Sequence, residues 1–498
     1  MRIALVGPPI KSRYVQGMDE PLGLEYVAAV LAPDHDVCII DAFNQRLTAA
    51  ETVEMLECFG PDAVGISLVM TGAHDPTLEI CRAVKARWPH ALTALGGHTA
   101  MFVADALVRR DEVDCVVWAE GEMTFRELVD RQERGDSWAD VAGIVYWDGR
   151  DVVRTPKRPN IADLNAHPFP ARHLLPAVED YMISVLRSRG CAYYCPYCSV
   201  TAFWGGRANR RRSDENVMAE MAEIKERYPR EVIAFADDTF TVPPRAVISL
   251  CEKLQHANIG LDWSCTGRIE TITPPLLAAM RAAGCTDMFY GVESGSTKVL
   301  RRLGRKYDAD RVYEIYQMCL AADIRPRFSF IFGLPDEDWG AVQDTWRLIE
   351  RLQGVSIGVH ILTPLPGTDI GERPEQFGIT VTPTNVGDLD INSDVLVDNG
   401  LLTKDQIREA YRRGAGLAAR SGRQSIGRER ARQAIEGRPA ETPAPSEDPI
   451  LASGGACVDA PSMAALGAQV AAPAVHLVEL RGLGTSAKAG GRGTPTHV

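Results

Sequence analysis

The chain has 498 residues, 45% apolar and 24% charged, the balance of an ordinary globular protein of about three domains. A net charge of -12 argues against general binding to nucleic acid or to an anionic membrane, because phosphate contacts need a surplus of Lys and Arg. No run approaches about 18 apolar residues, and MRIALVGPP enters a strand-like segment with no small-residue cleavage site, so neither a membrane span nor a signal peptide is expected.

The first 150 residues alternate short apolar runs with segments of helical period, as a parallel α/β sheet does. Strands are predicted at RIALVG, DVCIID, AVGISLV, LTALGG and CVVWAEG, and helices at GLEYVAAVLA and PTLEICRAVKARW, where Leu78, Cys81, Val84 and Trp88 recur at helical spacing. This pattern predicts a doubly wound, Rossmann-like domain over 1–150, whose ligand binds in the crevice beyond the carboxyl ends of the strands. GIVYWDGRDVVR reads as a closing hairpin, and residues 151–180, rich in Pro and His, as a linker.

From about 181 the alternation restarts, with strands predicted at MISVLRS, VIAFAD, LDWSCTG, TDMFYGV, RFSFIFG and SIGVHIL. The first helix between them is well marked: Ser213 can cap it, Asp214 and Glu215 suit its dipole, and Val217, Met221, Ile224 and Tyr228 share one face. Six βα units over 181–375 predict a partial barrel. Residues 376–436 form a partly helical region with a basic stretch, KDQIREAYRRGAGLAARSGR, read as a solvated helix face, and the Ala-, Gly- and Pro-rich tail 437–498 is expected to be disordered.

Twelve cysteines in a chain of this size are too sparse for a disulfide scaffold and suit a reducing cytoplasm. Nine are scattered, mostly in apolar runs as small core residues; the other three, Cys191, Cys195 and Cys198, lie within RSRGCAYYCPYCSV. Structural zinc needs four ligands, and no second pair or close His completes this set. A thioredoxin-type pair would use Cys195 and Cys198 and leave Cys191 idle. Three thiolates can instead hold a cubane cluster by three of its irons and leave the fourth open.

The order Cys191-x3-Cys195-x2-Cys198, with Tyr197 before the last Cys and the loop following the first barrel strand, resembles the radical S-adenosylmethionine (SAM) superfamily. In that family the open iron of a 4Fe-4S cluster is chelated by SAM. Polar or Gly/Pro-rich groups stand at the carboxyl ends of the proposed barrel strands, where a barrel enzyme gathers its chemistry. The resemblance implies SAM contacts from Tyr197, from Asp237 and Asp238 after the second strand, Arg268 after the third, and Glu293 and Ser294 after the fourth. Gly333, Leu334 and Pro335 would lie near the adenine.

An α/β domain ahead of such a barrel resembles the cobalamin-binding radical SAM subgroup, on VGPP with Pro8, PLGLEYVAAVL, GGHTA and AEGE. Gly96 and Gly97 would let backbone approach a large flat cofactor, beside His98, and Glu120 and Glu122, flanking Gly121, could accept hydrogen bonds from its amides or hydroxyls. The Asp-x-His-x-x-Gly signature of a lower histidine ligand is absent. The resemblance then implies cobalamin without histidine on cobalt, its lower face covered by LVMTG, which contains Leu68, Met70 and Thr71.

In the subgroup, cobalt(I) takes a methyl from one SAM, a second SAM is cleaved to a 5′-deoxyadenosyl radical, and the substrate radical takes the methyl. The expected activity is methylation of an unactivated carbon or phosphorus in a small specialised metabolite bound between the domains, with Trp204, Arg207, Arg268, Arg327 and His360 as candidate contacts. An external flavodoxin or ferredoxin would supply electrons to a monomeric cytoplasmic enzyme. Two alternatives stay open: a cobalamin-dependent radical SAM cyclase or ring-rearrangement enzyme, and an iron-sulfur electron carrier, which would gain from a fourth ligand.

Overall fold

The computed structural model describes residues 1–11, 19–228, 231–389 and 395–435, with side chains as far as 422. The tail read as disordered lies outside the described residues.

The first sheet comprises Arg2–Gly7 (β1), Asp36–Asp41 (β2), Ala63–Ser67 (β3), Leu92–Gly96 (β4), Cys115–Val117 (β5), Ile144–Trp147 (β6) and Val152–Arg154 (β7), in the order β2-β1-β3-β4-β5-β6-β7. The first five are parallel, and β6, antiparallel to β5, forms the expected hairpin with β7. Helices cover both faces, so β1 has no polar side to show: Ile3 and Leu5 pack with Leu24, Ala28 and Phe125, while Ala4 and Val6 pack with Leu56, Leu78 and Cys81. The winding reverses between β1 and β3, which opens a crevice beyond their carboxyl ends.

The second sheet comprises Ser184–Val185 (β8), Val232–Phe235 (β11), Asp262–Gly267 (β12), Cys285–Glu293 (β13), Arg325–Phe332 (β14) and Ser356–Ile361 (β15), with a separate ribbon of Ser188–Arg189 (β9) and Arg210–Arg211 (β10). Its order, β8-β11-β12-β13-β14-β15, is parallel throughout, an open six-stranded barrel segment. Trp263, Phe235 and Phe240 fill one end of its core with ring centroids 4.6–5.2 Å apart. The helix Asp214–Arg227 begins at Ser213, whose Oγ accepts from Asn216 N at 3.2 Å.

Two stretches are more deeply built in than their composition suggested. Arg172, within the stretch read as a linker, is 3% exposed and donates to Glu20 at 3.1 Å, to Glu220 at 2.8 Å and to the carbonyl of Ser184 at 2.5 Å. It joins the N-terminal segment to the barrel, because a buried guanidinium with five donors needs several acceptors. The basic stretch belongs to a helix, Lys404–Ile435, that is not merely solvated: Ile407, Ala410, Leu417 and Ala418 join the barrel core. A Cβ on Gly414 would stand 2.7 Å from Phe332 Cε2, so the small residue allows the helix to lie against the barrel.

Candidate active site

The ribbon β9–β10 carries the cysteine loop between its strands. Gly190 adopts φ +99°, and a Cβ there would stand 2.1 Å from the carbonyl of Ala208, so only glycine permits the close pass that starts the loop. Asn209 Nδ2 ties the ribbon by donating to Ser188 Oγ at 3.0 Å and to the carbonyl of Gly190 at 2.8 Å. At the end of β11, Asp237 accepts from Arg187 N at 3.0 Å and from Ser188 Oγ at 2.5 Å, and Asp238 accepts from Gly190 N at 3.0 Å and from Trp204 Nε1 at 2.9 Å. Both carboxylates thus brace the loop. Burial pushes Asp237 up to about 6 against these hydrogen bonds.

Within the loop Cys198 N donates to the carbonyl of Cys195 at 3.1 Å, and Cys191 Sγ stands 3.3 Å from Thr239 Oγ1. Burial first, then the proximity of Cys195 and Cys191, pushes the Cys198 thiol up to about 11. A loop that gathers three free thiols suits a cationic cluster that takes all three as thiolates. Among the described residues no three His, Cys, Asp or Glu side chains converge as ligands of a single metal ion would.

Behind the loop, Arg305 Nη2 donates to Tyr197 Oη at 2.5 Å and to Glu293 Oε1 at 2.7 Å. Glu293 closes β13 at φ +73°, a strained backbone of the kind that concentrates at functional sites. Ser294 is wholly buried and committed to the turn, accepting from Ser296 N at 3.1 Å and facing Thr345 Oγ1 at 3.2 Å. Gly333 donates its N–H to Glu337 Oε2 at 2.6 Å, Leu334 lies in an apolar cluster, and Pro335 follows in the same turn. Arg268 pairs with Glu270 and touches the cysteine loop.

A cavity of about 470 Å³ lies between the carboxyl edge of the first sheet and this loop. Gly96, Gly97, His98, Glu120, Gly121 and Glu122 line it from the first sheet's side, and Ser188, Arg189, Phe203, Trp204 and Asp238 from the barrel's. A Cβ on Gly96 would project into open space, while Gly97, at φ +97°, passes the carbonyl of Leu68 so closely that a Cβ would stand 2.8 Å from it. This bare backbone at the wall leaves room for a broad ligand, as cobalamin requires. Burial lowers His98 to about 4, so its ring is neutral, and it stacks on Phe203 at 3.9 Å.

Other residues expected at this cofactor are placed differently. Leu68 is fully buried in the sheet core, and Pro8 is not among the cavity's lining residues. Met70 and Thr71 line an annex of about 140 Å³ that shares Val69 and His98 with the main cavity, and Thr71 Oγ1 donates to the carbonyl of Leu389 at 2.6 Å. Glu120 and Glu122, read as acceptors for the cofactor, are occupied by buried cations. Glu120 accepts from Arg189 at 2.7 Å and from Arg210 at 3.0 Å, and Glu122 stands 2.7 Å from Arg189 Nη2. The sequence reading missed Arg189 and Phe203, whose partners are distant in sequence, and Tyr26, whose ring lies 4.9 Å from the Arg189 guanidinium. Of the expected substrate contacts, Trp204 lines the cavity, whereas Arg207 and Arg327 are exposed.

A doubly wound domain whose crevice opens onto a three-cysteine barrel loop defines a class: radical SAM enzymes with a B12-binding domain. Residues 185–349 match the Radical SAM superfamily and residues 14–129 match the B12 binding domain. An uncharacterised methyltransferase of Pyrococcus horikoshii is 30% identical over 382 residues, covering 75% of this chain and 83% of the relative. A cytidylyl-2-hydroxyethylphosphonate methyltransferase of Streptomyces wedmorensis is 26% identical, covering 70% and 77%. An anaerobic magnesium-protoporphyrin IX monomethyl ester cyclase of Rubrivivax gelatinosus is 26% identical, covering 83% and 77%. Among solved structures, the radical SAM methyltransferase TsrM from Kitasatospora setae, with cobalamin and a [4Fe-4S] cluster bound, shares the fold with a TM-score of 0.65 at 18% identity, covering 84% and 88%.

The chain belongs to the cobalamin-binding radical SAM methyltransferase family. It is an enzyme whose cofactors are a 4Fe-4S cluster, SAM and cobalamin, which removes the electron-carrier alternative. Among the described residues no helix is long and apolar enough to cross a membrane.

Proposed function

We propose that the enzyme moves a methyl group from SAM, by way of cobalamin, to an unactivated carbon or phosphorus of a small specialised metabolite held between the two domains. The observation that carries this reading is the cavity walled on one side by Gly96, Gly97 and His98 and on the other by Trp204 and Asp238, whose carboxylate also holds the start of the cysteine loop. When bound, the cluster with SAM supplies a carbon-centred radical and cobalamin supplies the methyl group.

Cys191, Cys195 and Cys198 would hold the cluster, with Asp237 and Asp238 fixing the backbone before them. Tyr197, Arg305 and Glu293 are linked by hydrogen bonds behind the loop, and Glu293, at the end of β13, would face the SAM side. Gly96 and Gly97 leave room for cobalamin. His98, neutral and stacked on Phe203, packs as an aromatic wall. Leu24, Val27 and Phe125 give the cavity a largely apolar lining, which suits an unactivated substrate group. An external low-potential donor such as a flavodoxin or ferredoxin would supply electrons.

The cyclase reading is kept alive by one observation, the 26% identity over 442 residues to the Rubrivivax cyclase, close to that of the named methyltransferases. Holoenzyme incubated anaerobically with SAM, reductant and candidate metabolites decides between the two. A product heavier by one CH2, with S-adenosylhomocysteine beside 5′-deoxyadenosine, supports methylation. A product of unchanged carbon count with 5′-deoxyadenosine alone supports cyclisation or rearrangement.

A further inference from the structure

Arg268, at the end of β12, does not point freely into the barrel mouth. Its backbone N donates to Thr241 Oγ1 at 3.1 Å, and its side chain is largely buried. The Nε and Nη2 edge of the guanidinium meets Glu270, at 3.2 Å to Oε2 and 2.7 Å to Oε1. Its flat face covers the ring of Tyr193, with Cζ 3.7 Å from the centroid. Fixed on these sides, the group presents its remaining corner to the cysteine loop, and Nη1 stands 3.9 Å from Cys195 Sγ. The arginine is rigid and always charged, and its fork suits such a double engagement.

A cation with an N–H directed at a cluster-ligating sulfur stabilises the reduced, more negative state of that cluster more than the oxidised one. Hydrogen bonds to the sulfurs and nearby charge are the recognised means of setting such potentials, and burial strengthens the effect by reducing solvent screening. Glu270 opposes it from the far edge of the guanidinium. We propose that Arg268 is a positioning residue that raises the reduction potential of the cluster held by Cys191, Cys195 and Cys198, and that Glu270 offsets part of that increase. The inference rests on the proposed cluster ligation. It assigns Arg268 to the cluster and not to SAM. The step it governs is the transfer of one electron from the external donor to the oxidised cluster, with no bond formed or broken.

The test is a potentiometric titration of anaerobically reconstituted holoenzyme without SAM, read by the electron paramagnetic resonance signal of the reduced cluster, for wild type, Arg268→Gln, Arg268→Lys and Glu270→Gln. Arg268→Gln should lower the reduction equilibrium constant about tenfold, about 59 mV for a one-electron couple. Arg268→Lys should fall less, because it keeps the charge, and Glu270→Gln should move the midpoint in the opposite direction. Opposite shifts are not what general damage to the loop produces. If Arg268→Gln takes up no cluster, the sign of the Glu270→Gln shift decides alone. Full clusters with unmoved midpoints, or midpoints moved in the same direction by Arg268→Gln and Glu270→Gln, overturn this inference only, whereas a wild-type chain that takes up no cluster overturns the ligation on which it rests.

Discussion

Glu120→Gln tests whether the wall of the cavity is also the fastening of the cysteine loop. Glu120 accepts from Arg189 Nη1 at 2.7 Å, from Arg210 Nη1 and Nη2 at 3.0 Å each, and from Ile161 N at 2.7 Å, so one side chain holds both strands of the β9–β10 ribbon. Removing one partner of a buried charge pair costs about 3–5 kcal/mol, because the charge left behind is desolvated and unpaired. Two features place this site at the lower end: Arg189 keeps Glu122 at 2.7 Å, and Arg210 keeps the carbonyl of Ile161 at 2.6 Å. A loss of about 3 kcal/mol is expected in urea denaturation of the cofactor-free protein at neutral pH. Burial opposes ionisation of Glu120, but its hydrogen bonds to Arg210 and Arg189 outweigh it and hold the carboxyl below its ordinary value of 4.5. The wild-type advantage is therefore full above that value and lost as pH falls through the lower folded value. In a double-mutant cycle the Glu120→Gln, Arg210→Met double variant should lose much less than the sum of the two single losses. A loss under about 1 kcal/mol for Glu120→Gln, or strict additivity with Arg210→Met, would refute the reasoning.

Three further outcomes follow from single residues. Gly96→Ile should leave the melting temperature of the cofactor-free protein unchanged yet abolish cobalamin retention on gel filtration, because its side chain would project into the empty side of the wall. Glu25 is buried with both carboxylate oxygens unpartnered, and burial, then Glu20, pushes it up to about 9. Its protonated form therefore favours the folded state, stability falls as pH rises from about 4.5 to about 9, and Glu25→Gln should flatten that fall in urea midpoints measured across the range. Asp238→Ala leaves Gly190 N and Trp204 Nε1 without their acceptor, so iron and sulfide content after reconstitution should drop at an unchanged circular dichroism spectrum, whereas full cluster content would show that the brace is dispensable.

The strands of both domains were legible because parallel strands covered on both faces are continuous apolar runs between helical repeats: RIALVG and DVCIID mark β1 and β2 to the residue. The three cysteines were legible because their spacing is local. What escaped the sequence is what depends on partners distant along the chain. Glu120 and Glu122 looked like free acceptors at a strand end, and only the fold brings Arg189 and Arg210 onto them. Arg172 sat in a Pro-rich stretch with nothing to show that Glu20 and Glu220 would converge on it. The C-terminal helix hid its packing face because Gly414, Ala410 and Ala418 are too small to register as an apolar stripe, although their smallness permits close packing on the barrel.

The central claim is that one chain holds the cluster through Cys191, Cys195 and Cys198 and cobalamin across the cavity from it, as joint parts of a SAM-dependent methylation site. The most direct test is anaerobic reconstitution with iron, sulfide and hydroxocobalamin, followed by SAM and a strong reductant, with S-adenosylhomocysteine and 5′-deoxyadenosine quantified for wild type, Cys198→Ser and Gly96→Ile. The account predicts both products from wild type, no 5′-deoxyadenosine from Cys198→Ser, and 5′-deoxyadenosine without S-adenosylhomocysteine from Gly96→Ile. S-adenosylhomocysteine formed undiminished by Gly96→Ile, or 5′-deoxyadenosine formed undiminished by Cys198→Ser, would contradict it.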